Sequence, residues 1–351
     1  MKVMHVLNSR IYSGAEKVVC QIIKAFEKTG EAQMVYCSPD SEIVRQMLSE
    51  QNVTFLPILN LTPKELRRVI EEQKPDLIHA HDMRASFVSA LCCGRIPLIS
   101  HIHNNAYNAR GISPKSIAYL LAGWKAKHIL WVSNSSYEGY AFHKLFAKKS
   151  SVLYNIIDTE QIFAKKAQDA AVYDYDVIYV GRLTFQKDPQ RLMRLCARLK
   201  EKKGDLKVAI VGTGELEEET KALCEELNLR ENVHFLGFQS NPIKMVHDSK
   251  AMVLTSRWEG TPMCALEAMA LGTPVVSTPS DGMKDLVIDG VNGYLCEEDA
   301  MLAEKLLRII TDAGHREMLS ENAVKRFAQI NDAPKYQRAI ADCYHQWVKA
   351  L

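Results

Sequence analysis

No pair of cysteines in this chain is spaced C-x-x-C; apart from the adjacent Cys92 and Cys93, the nine cysteines are scattered. Neither a zinc knuckle nor a disulfide framework is indicated, and free thiols in a chain of this size point to a reducing compartment. There is no run of about 20 uncharged apolar residues, so no membrane-spanning helix is expected. Met1–Leu7 is apolar but short, without a basic leader or a cleavage site, and is not read as a signal peptide. The expected location is cytoplasmic. Low-complexity tracts and solenoid repeats are missing too. The first strand is not followed by a full G-x-G-x-x-G, and Gly212-x-Gly214 lacks the third glycine in register, which argues against a nicotinamide dehydrogenase.

What is present is ordinary globular material: 351 residues, 47% hydrophobic and 25% charged, enough for two domains with a core each. The net charge of +2 hides an asymmetry. Residues 1–160 hold 19 Lys and Arg against 14 Asp and Glu, whereas the remainder holds 25 against 28. Most of the excess lies in region 95–149, where Arg95, Arg110, Lys115, Lys125, Lys127, Lys144, Lys148 and Lys149 face only Glu138. Tyr107, Tyr119, Trp124, Trp131 and Tyr140 are interleaved with them. Such a basic, aromatic face suits an anionic membrane surface or an anionic acceptor, and equally a solvated surface whose aromatics belong to the core. No nucleic-acid partner is expected.

Short apolar strands alternate with amphipathic helices along the chain. Strands are predicted at Lys2–Leu7, Met34–Cys37, Val53–Phe55, Leu77–His79, Leu98–Ser100, Ile129–Val132 and Val152–Tyr154. Asp158–Tyr173 is polar and Ala-rich and reads as an interdomain linker. The rhythm then restarts with strands at Val177–Val180, Lys207–Val211, Val233–Leu236, Ala251–Thr255 and Pro274–Ser277. This predicts an α/β chain of two doubly wound parallel sheets, whose ligands bind at the carboxyl ends of the strands. If the two sheets face each other, both sets of strand ends line one cleft. A final helix over 334–348, with Tyr336, Ile340, Tyr344 and Trp347, is expected to dock on a domain surface.

The most informative segment is Ser256–Thr273, SRWEGTPMCALEAMALGT. Thr261 reads as an N-cap, Pro262 as the first helical position and Gly272 as the stop. The first amides, at Met263 and Cys264, then form an anion site suited to a diphosphate. Glu259 and Glu267 flank it, better placed for sugar and ribose hydroxyls than for phosphate.

The spacing of Glu259 and Glu267, with Gly260 after the first and Ala268-Met269-Ala270 after the second, resembles the signature of the retaining glycosyltransferases of family 4. Ser13-Gly14-Ala15-Glu16, Gly181-Arg182-Leu183 with Lys187-Asp188, Gly212-x-Gly214, Phe235-Leu236-Gly237, Gly272-x-Pro274-Val275-Val276 and Asp289-Gly290-x-Asn292-Gly293 are similar to further family motifs. The resemblance implies a GT-B fold of two Rossmann-like domains. The N-terminal, acceptor-binding domain would span 1–160, rejoined by helix 334–351, and the donor-binding domain 161–333. It implies that Arg182 and Lys187 grip the diphosphate, which agrees with the need for fixed cations where no metal is expected. It further implies that Gly14 lets backbone approach the phosphate and that Glu259 holds the transferred sugar. Glu267 would hold the ribose and Leu236 would lie near the base, with His103 beside the reacting carbon. The implied donor is a UDP-sugar, the implied acceptor a lipid-linked or oligosaccharide molecule, and the implied setting is cell-surface polysaccharide synthesis at the inner face of the membrane. EGTPM-type variants occur among capsule and exopolysaccharide enzymes of this kind. Departures fall at Ser13, Ile156, Thr261-Pro262 and Asp285, of which Thr261-Pro262 bears on sugar identity. An epimerase of the same fold and a non-catalytic nucleotide-sugar-binding protein are the alternatives.

Isolated residues carry weaker signals. His79 and His81 lack a third ligand motif, so strand packing or acceptor contact is expected rather than metal binding. His5 reads as a core residue. Asp174-Tyr175-Asp176 precedes a strand, far from that strand's carboxyl end, and is not read as a metal site.

Overall fold

The computed structural model describes residues 1–104 and 107–348; the backbone of 105, 106 and 349–351 and the side chains of Lys28 and Tyr107 lie outside the described set. Asn105 of the HIHNN motif and the Tyr107 side chain of the basic region fall among these. The chain divides into two compact units, Met1–Ile156 with the final helix, and Ile157–Asp332.

Unit 1 is built on a seven-stranded sheet: β1 Lys2–Val6, β2 Gln33–Pro39, β3 Phe55–Ile58, β4 Leu77–His81, β5 Leu98–Ile102, β6 His128–Trp131 and β7 Ser150–Val152. Their spatial order is β3-β2-β1-β4-β5-β6-β7 and every pairing is parallel. Parallel strands buried on both faces need continuous apolar runs, as in KVMHV, where every residue after Lys2 is buried. The final helix, Ala333–Val348, belongs to this unit and buries Tyr336, Ile340, Cys343 and Tyr344. The Tyr344 ring lies tilted against Phe26 with centroids 5.4 Å apart, and its hydroxyl lies 2.6 Å from His79 Nδ1.

Unit 2 has six strands: β8 Val177–Val180, β9 Val208–Val211, β10 Val233–Gly237, β11 Ala251–Leu254, β12 Val275–Ser277 and β13 Gly293–Leu295. Their order is β10-β9-β8-β11-β12-β13, again parallel throughout. The helix Pro189–Lys202 buries Leu192, Leu195, Cys196 and Leu199 as one stripe against this sheet.

Three local readings are corrected. Asp158–Tyr173 is not a bare linker: Asp158 caps a helix, Thr159–Gln168, by accepting from the Gln161 amide at 3.1 Å. Ile162 is buried, and the Lys165 carbonyl accepts from Asn241 Nδ2 at 2.9 Å, so this helix is part of unit 2. β3 lies two residues later than Val53–Phe55 and contains Pro57; its place at the sheet edge tolerates the missing amide. β7 lies two residues earlier than Val152–Tyr154.

In both units the winding direction reverses beside the first strand, between β1 and β4 and between β8 and β11. These are the topological switch points where doubly wound sheets open a crevice at their strand ends.

Candidate functional site

At the switch point of unit 2 two loops close on each other. After β8 the chain runs through Gly181–Asp188, and after β11 through Thr255–Pro262. The Arg257 amide donates to the Gln186 carbonyl at 2.8 Å and Gln186 Nε2 to the Trp258 carbonyl at 2.9 Å. Thr255 Oγ1 donates to the carbonyls of Lys187 and Asp188 at 3.0 and 3.1 Å. Arg257 pairs with Asp188 at 2.9 Å and lies over the Phe185 ring. Asp188 sits at φ +50° and caps the helix Pro189–Lys202. A non-glycine residue held left-handed costs on the order of 1–3 kcal/mol, and such strain gathers at functional sites.

This zipper brings two predicted residues together. Lys187 Nζ lies 2.5 Å from Glu259 Oε1, and Ser256 Oγ donates to the same oxygen at 2.5 Å. The side chains of Lys187 and Glu259 are only 13% and 6% exposed. Arg182, on the same loop, is exposed, and its guanidinium has no hydrogen-bond or ion-pair partner among the described residues. Its backbone is fixed from below, where the buried Tyr179 hydroxyl donates to the Arg182 carbonyl at 3.0 Å.

The helix after β11 runs Met263–Leu271, with Pro262 at its cap rather than inside it. Pro262 has φ −71° and ψ +116°, extended backbone, so the helix begins one residue later than the Thr261 cap implied. Met263 and Cys264 remain its opening residues, and the positive end of the helix dipole faces the Glu259 loop. Glu267 lies one turn further on and is buried. Leu236, at the carboxyl end of edge strand β10, is half-buried; its carbonyl accepts from Gln239 Nε2 at 2.8 Å.

Two glycines have structural work that the motifs did not show. A Cβ on Gly212, which sits at φ +129°, would fall 2.0 Å from the Gly181 carbonyl, and one on Gly214 would fall 2.2 Å from that of Leu183. Both therefore allow the Arg182 loop to rest directly on the loop after β9. Gly282, not singled out from sequence, does the same beneath Glu259: its Cβ would fall 1.4 Å from the Gly260 carbonyl.

At the switch point of unit 1, Ser13-Gly14 opens the helix Gly14–Thr29, and buried Glu16 accepts from both the Ser13 amide and hydroxyl at 2.8 Å. This local capping box fixes the backbone at Gly14. Beside it stand five histidines. Parallel register sets His5 against His79 and His81 against His101, with His103 just past the end of β5. His5, His79, His81 and His101 are buried, and each ring lies within 4.2–5.6 Å of others in the group. Burial pushes His5 down to about 3 and His103 down to about 4, the latter against the pull of Glu16. Burial likewise drives His79, His81 and His101 well down, and neighbouring histidines, His5 and His103 among them, reinforce it. All five are thus neutral near pH 7. Asp82, missed from sequence, follows β4 at φ +68° and accepts the His103 amide on Oδ1 at 3.0 Å. Its position directly after a strand end is the signal that marks it.

Two sets of three of these histidines are close enough to share a metal ion, His5-His79-His81 and His81-His101-His103. His81 belongs to both, and both its nitrogens face other histidines, at 3.0 and 2.8 Å. Coordination in either set would break those contacts. Asp174 and Asp176 are held by lysines: Asp174 by Lys207 at 2.7 Å, Asp176 by Lys250 at 2.8 Å and Lys203 at 3.2 Å.

Comparison with known proteins matches the two units separately. Residues 12–161 match the family described as Glycosyltransferase Family 4, and residues 160–326 the one described as Glycosyl transferases group 1. An uncharacterised glycosyltransferase of Methanocaldococcus jannaschii is 31% identical over 288 residues, covering 73% of this chain and 71% of that protein. The N-acetylgalactosamine-N,N'-diacetylbacillosaminyl-diphospho-undecaprenol 4-alpha-N-acetylgalactosaminyltransferase of Campylobacter jejuni is 40% identical over 153 residues, 43% of this chain and 41% of that one. Among solved structures, Anabaena HepE in complex with UDP-glucose superposes with a TM-score of 0.86 at 23% identity, covering 99% of this chain and 100% of its own. At that identity the likeness speaks for the fold.

Proposed function

We propose a reaction from one premise: this chain belongs to the family 4 glycosyltransferases. In this reading it moves a hexosyl unit from a UDP-sugar to a lipid-linked or oligosaccharide acceptor, retains the anomeric configuration and requires no metal ion. The observation that carries the reading is the convergence of Lys187 Nζ and Ser256 Oγ on Glu259 Oε1 at the unit 2 switch point, beside the unpartnered guanidinium of Arg182. Lys187, Arg182 on the same loop and the helix start after the neighbouring strand would supply fixed donors to the charge that a diphosphate leaving group develops, stabilising it without reorganising. Glu259 keeps Oε2 for a hydroxyl of the transferred sugar, while Glu267 serves the ribose and Leu236 the base. The UDP-glucose bound by HepE supports the choice of nucleotide.

From unit 1 the reaction takes Gly14, for backbone approach to phosphate, and His103. The second carboxylate of the unit 2 loops, Asp188, is held by the Arg257 guanidinium and the Arg191 amide rather than free as a covalent nucleophile, which favours same-face departure and attack over a glycosyl-enzyme intermediate. The test is the configuration of the product by proton NMR. An α-linked donor is expected to yield an α-linked product, and no isomerised sugar should appear when acceptor is withheld. A β-linked product overturns retention; free isomerised UDP-sugar overturns transfer.

The lipid-borne acceptor draws on the undecaprenol named for the Campylobacter relative and on the surface of unit 1. Tyr119, Trp131 and Tyr140 are core residues, but Ile117, Leu121 and Trp124 are 52%, 42% and 64% exposed along one face of the helix Pro114–Lys125. Exposed Lys115, Lys125, Lys144 and Lys148 surround them. An apolar helix face ringed by lysines fits an anionic bilayer, each lysine adding about 1 kcal/mol near the surface. No helix among the described residues is long and apolar enough to cross a membrane, so contact would be peripheral. Trp124→Glu is expected to cut flotation with anionic vesicles at least tenfold, and salt should weaken wild-type binding. Equal flotation of both proteins would overturn the membrane contact.

A further inference from the structure

The buried histidines of unit 1 form a directed chain. His5 Nε2 lies 3.4 Å from Met34 Sδ, His5 Nδ1 3.0 Å from His81 Nε2, and His81 Nδ1 2.8 Å from His103 Nε2. A neutral imidazole carries one N–H and one lone pair, so each link fixes the next. Burial lowers every member's affinity for a second proton, which keeps the chain neutral. Met34 sets the direction, because a thioether sulfur only accepts.

Read from that end, His5 donates through Nε2 to Met34 and accepts through Nδ1. His81 therefore donates Nε2–H to His5 and accepts on Nδ1, and His103 donates Nε2–H to His81. His103 Nδ1 is then the bare nitrogen, and it is a buried atom with no partner among the described residues. The opposite direction would set a lone pair against the sulfur at one end and strand a buried N–H at the other. An orphaned N–H is the rarer arrangement in folded proteins.

We propose that Met34, His5 and His81 are positioning residues that lock the tautomer of His103, so that His103 meets substrate as a hydrogen-bond acceptor at Nδ1 and never as an acid. The ligand is a hydroxyl of the sugar substrate, since a buried acceptor without a donor is unfavourable until one arrives. This part rests on the role given to His103 above. The chain does not relay protons to solvent, because it ends on a sulfur that holds none. Glu16, whose charge reaches His103, and Asp82, which holds its amide, are the acidic groups that face the ring. Tyr344 faces His79 and does not enter the chain.

The test is the imidazole nitrogen NMR spectrum of His103 in the full-length protein at pH 7.5, in wild type and in Met34→Leu. That substitution nearly conserves volume and removes only the acceptor. Wild type is expected to show a single tautomer with the proton on Nε2; a proton on Nδ1 overturns the proposal without any variant. In Met34→Leu the spectrum should become a mixture. kcat/KM for the sugar donor should drop about threefold to tenfold, the effect of one neutral hydrogen bond, with affinity for UDP alone unchanged. An unchanged spectrum in Met34→Leu, or a changed spectrum with unchanged kcat/KM, overturns it. Full activity of His103→Ala would instead remove His103 from the reaction and leave the tautomer assignment standing, so the two failures are distinguishable.

Discussion

In Lys187→Met, sugar transfer is expected to fall by about a hundred- to a thousandfold, the scale of losing one fixed donor to developing charge. Lys187 and Glu259 are nearly enclosed, and Lys187 Nζ sits 2.5 Å from Glu259 Oε1. A pair so placed has two possible duties. If it only holds the loops Gly181–Asp188 and Thr255–Pro262 together, apolar residues of similar size replace it at little cost. If it serves the reaction, that replacement restores the fold and not the activity. Breaking the pair by Lys187→Met alone leaves a buried carboxylate and costs about 3–5 kcal/mol, a large share of a typical domain's stability. The decisive comparison is therefore with Lys187→Met/Glu259→Leu. Its melting temperature should return close to that of wild type while initial rates stay at the level of the single variant. Near-normal turnover in either protein contradicts the role assigned to the pair.

Mild acid should unfold unit 1 before unit 2. His5 and His103 have their pKa values held near 3 and 4 by burial, and His79, His81 and His101 are also driven down. In the unfolded chain each titrates near 6.5. Between pH 6.5 and about 4 the unfolded state binds more protons, so stability rises with pH across that window and is lost as pH falls through it. Each histidine contributes up to about 1.4 kcal/mol per pH unit, so five in one core weigh heavily against a margin of about 5–15 kcal/mol. In unit 2, His234 and His315 are half-buried and His247 exposed, so no described histidine there is fully buried. Amide exchange read separately for the two units should show unit 1 losing protection below pH 6 while unit 2 keeps it. Equal loss in both, or a flat profile to pH 4.5, contradicts the neutral cluster.

The alternation of elements was legible because buried parallel strands and amphipathic helices write distinct periods. What escaped depends on contacts distant in sequence. β13 is three residues long, Gly293–Leu295, and exists because Val275, Val276 and Ser277 supply its register. The helix Thr159–Gln168 has one buried residue, Ile162, so its composition reads as a linker until Asn241 is seen holding it. Pro262 fits the first helical position or the cap equally well by propensity, and its ψ of +116° decides. Gly212 and Gly282 were opaque for another reason. A glycine is chosen for whatever approaches it, and here the approaching atoms include the carbonyls of Gly181 and Gly260. The H-x-H pairs at 79–81 and 101–103 were visible as spacing. Only the β1-β4-β5 register stacks them with His5 into one cluster.

Lys187 and Glu259 were visible as separate candidates, whereas their pairing follows from β8 and β11 being neighbours at the switch point. Asp82 and Met34 were not visible. Nothing local distinguishes a strand methionine that receives a histidine N–H from one that fills a core.

The most direct measurement is a crystal structure of the chain with UDP bound. The expected density places the diphosphate at the start of the helix Met263–Leu271, within hydrogen-bonding reach of Arg182 and Lys187, with the ribose against Glu267. A nucleotide lodged elsewhere, with that helix end empty, would contradict the assignment of the donor site.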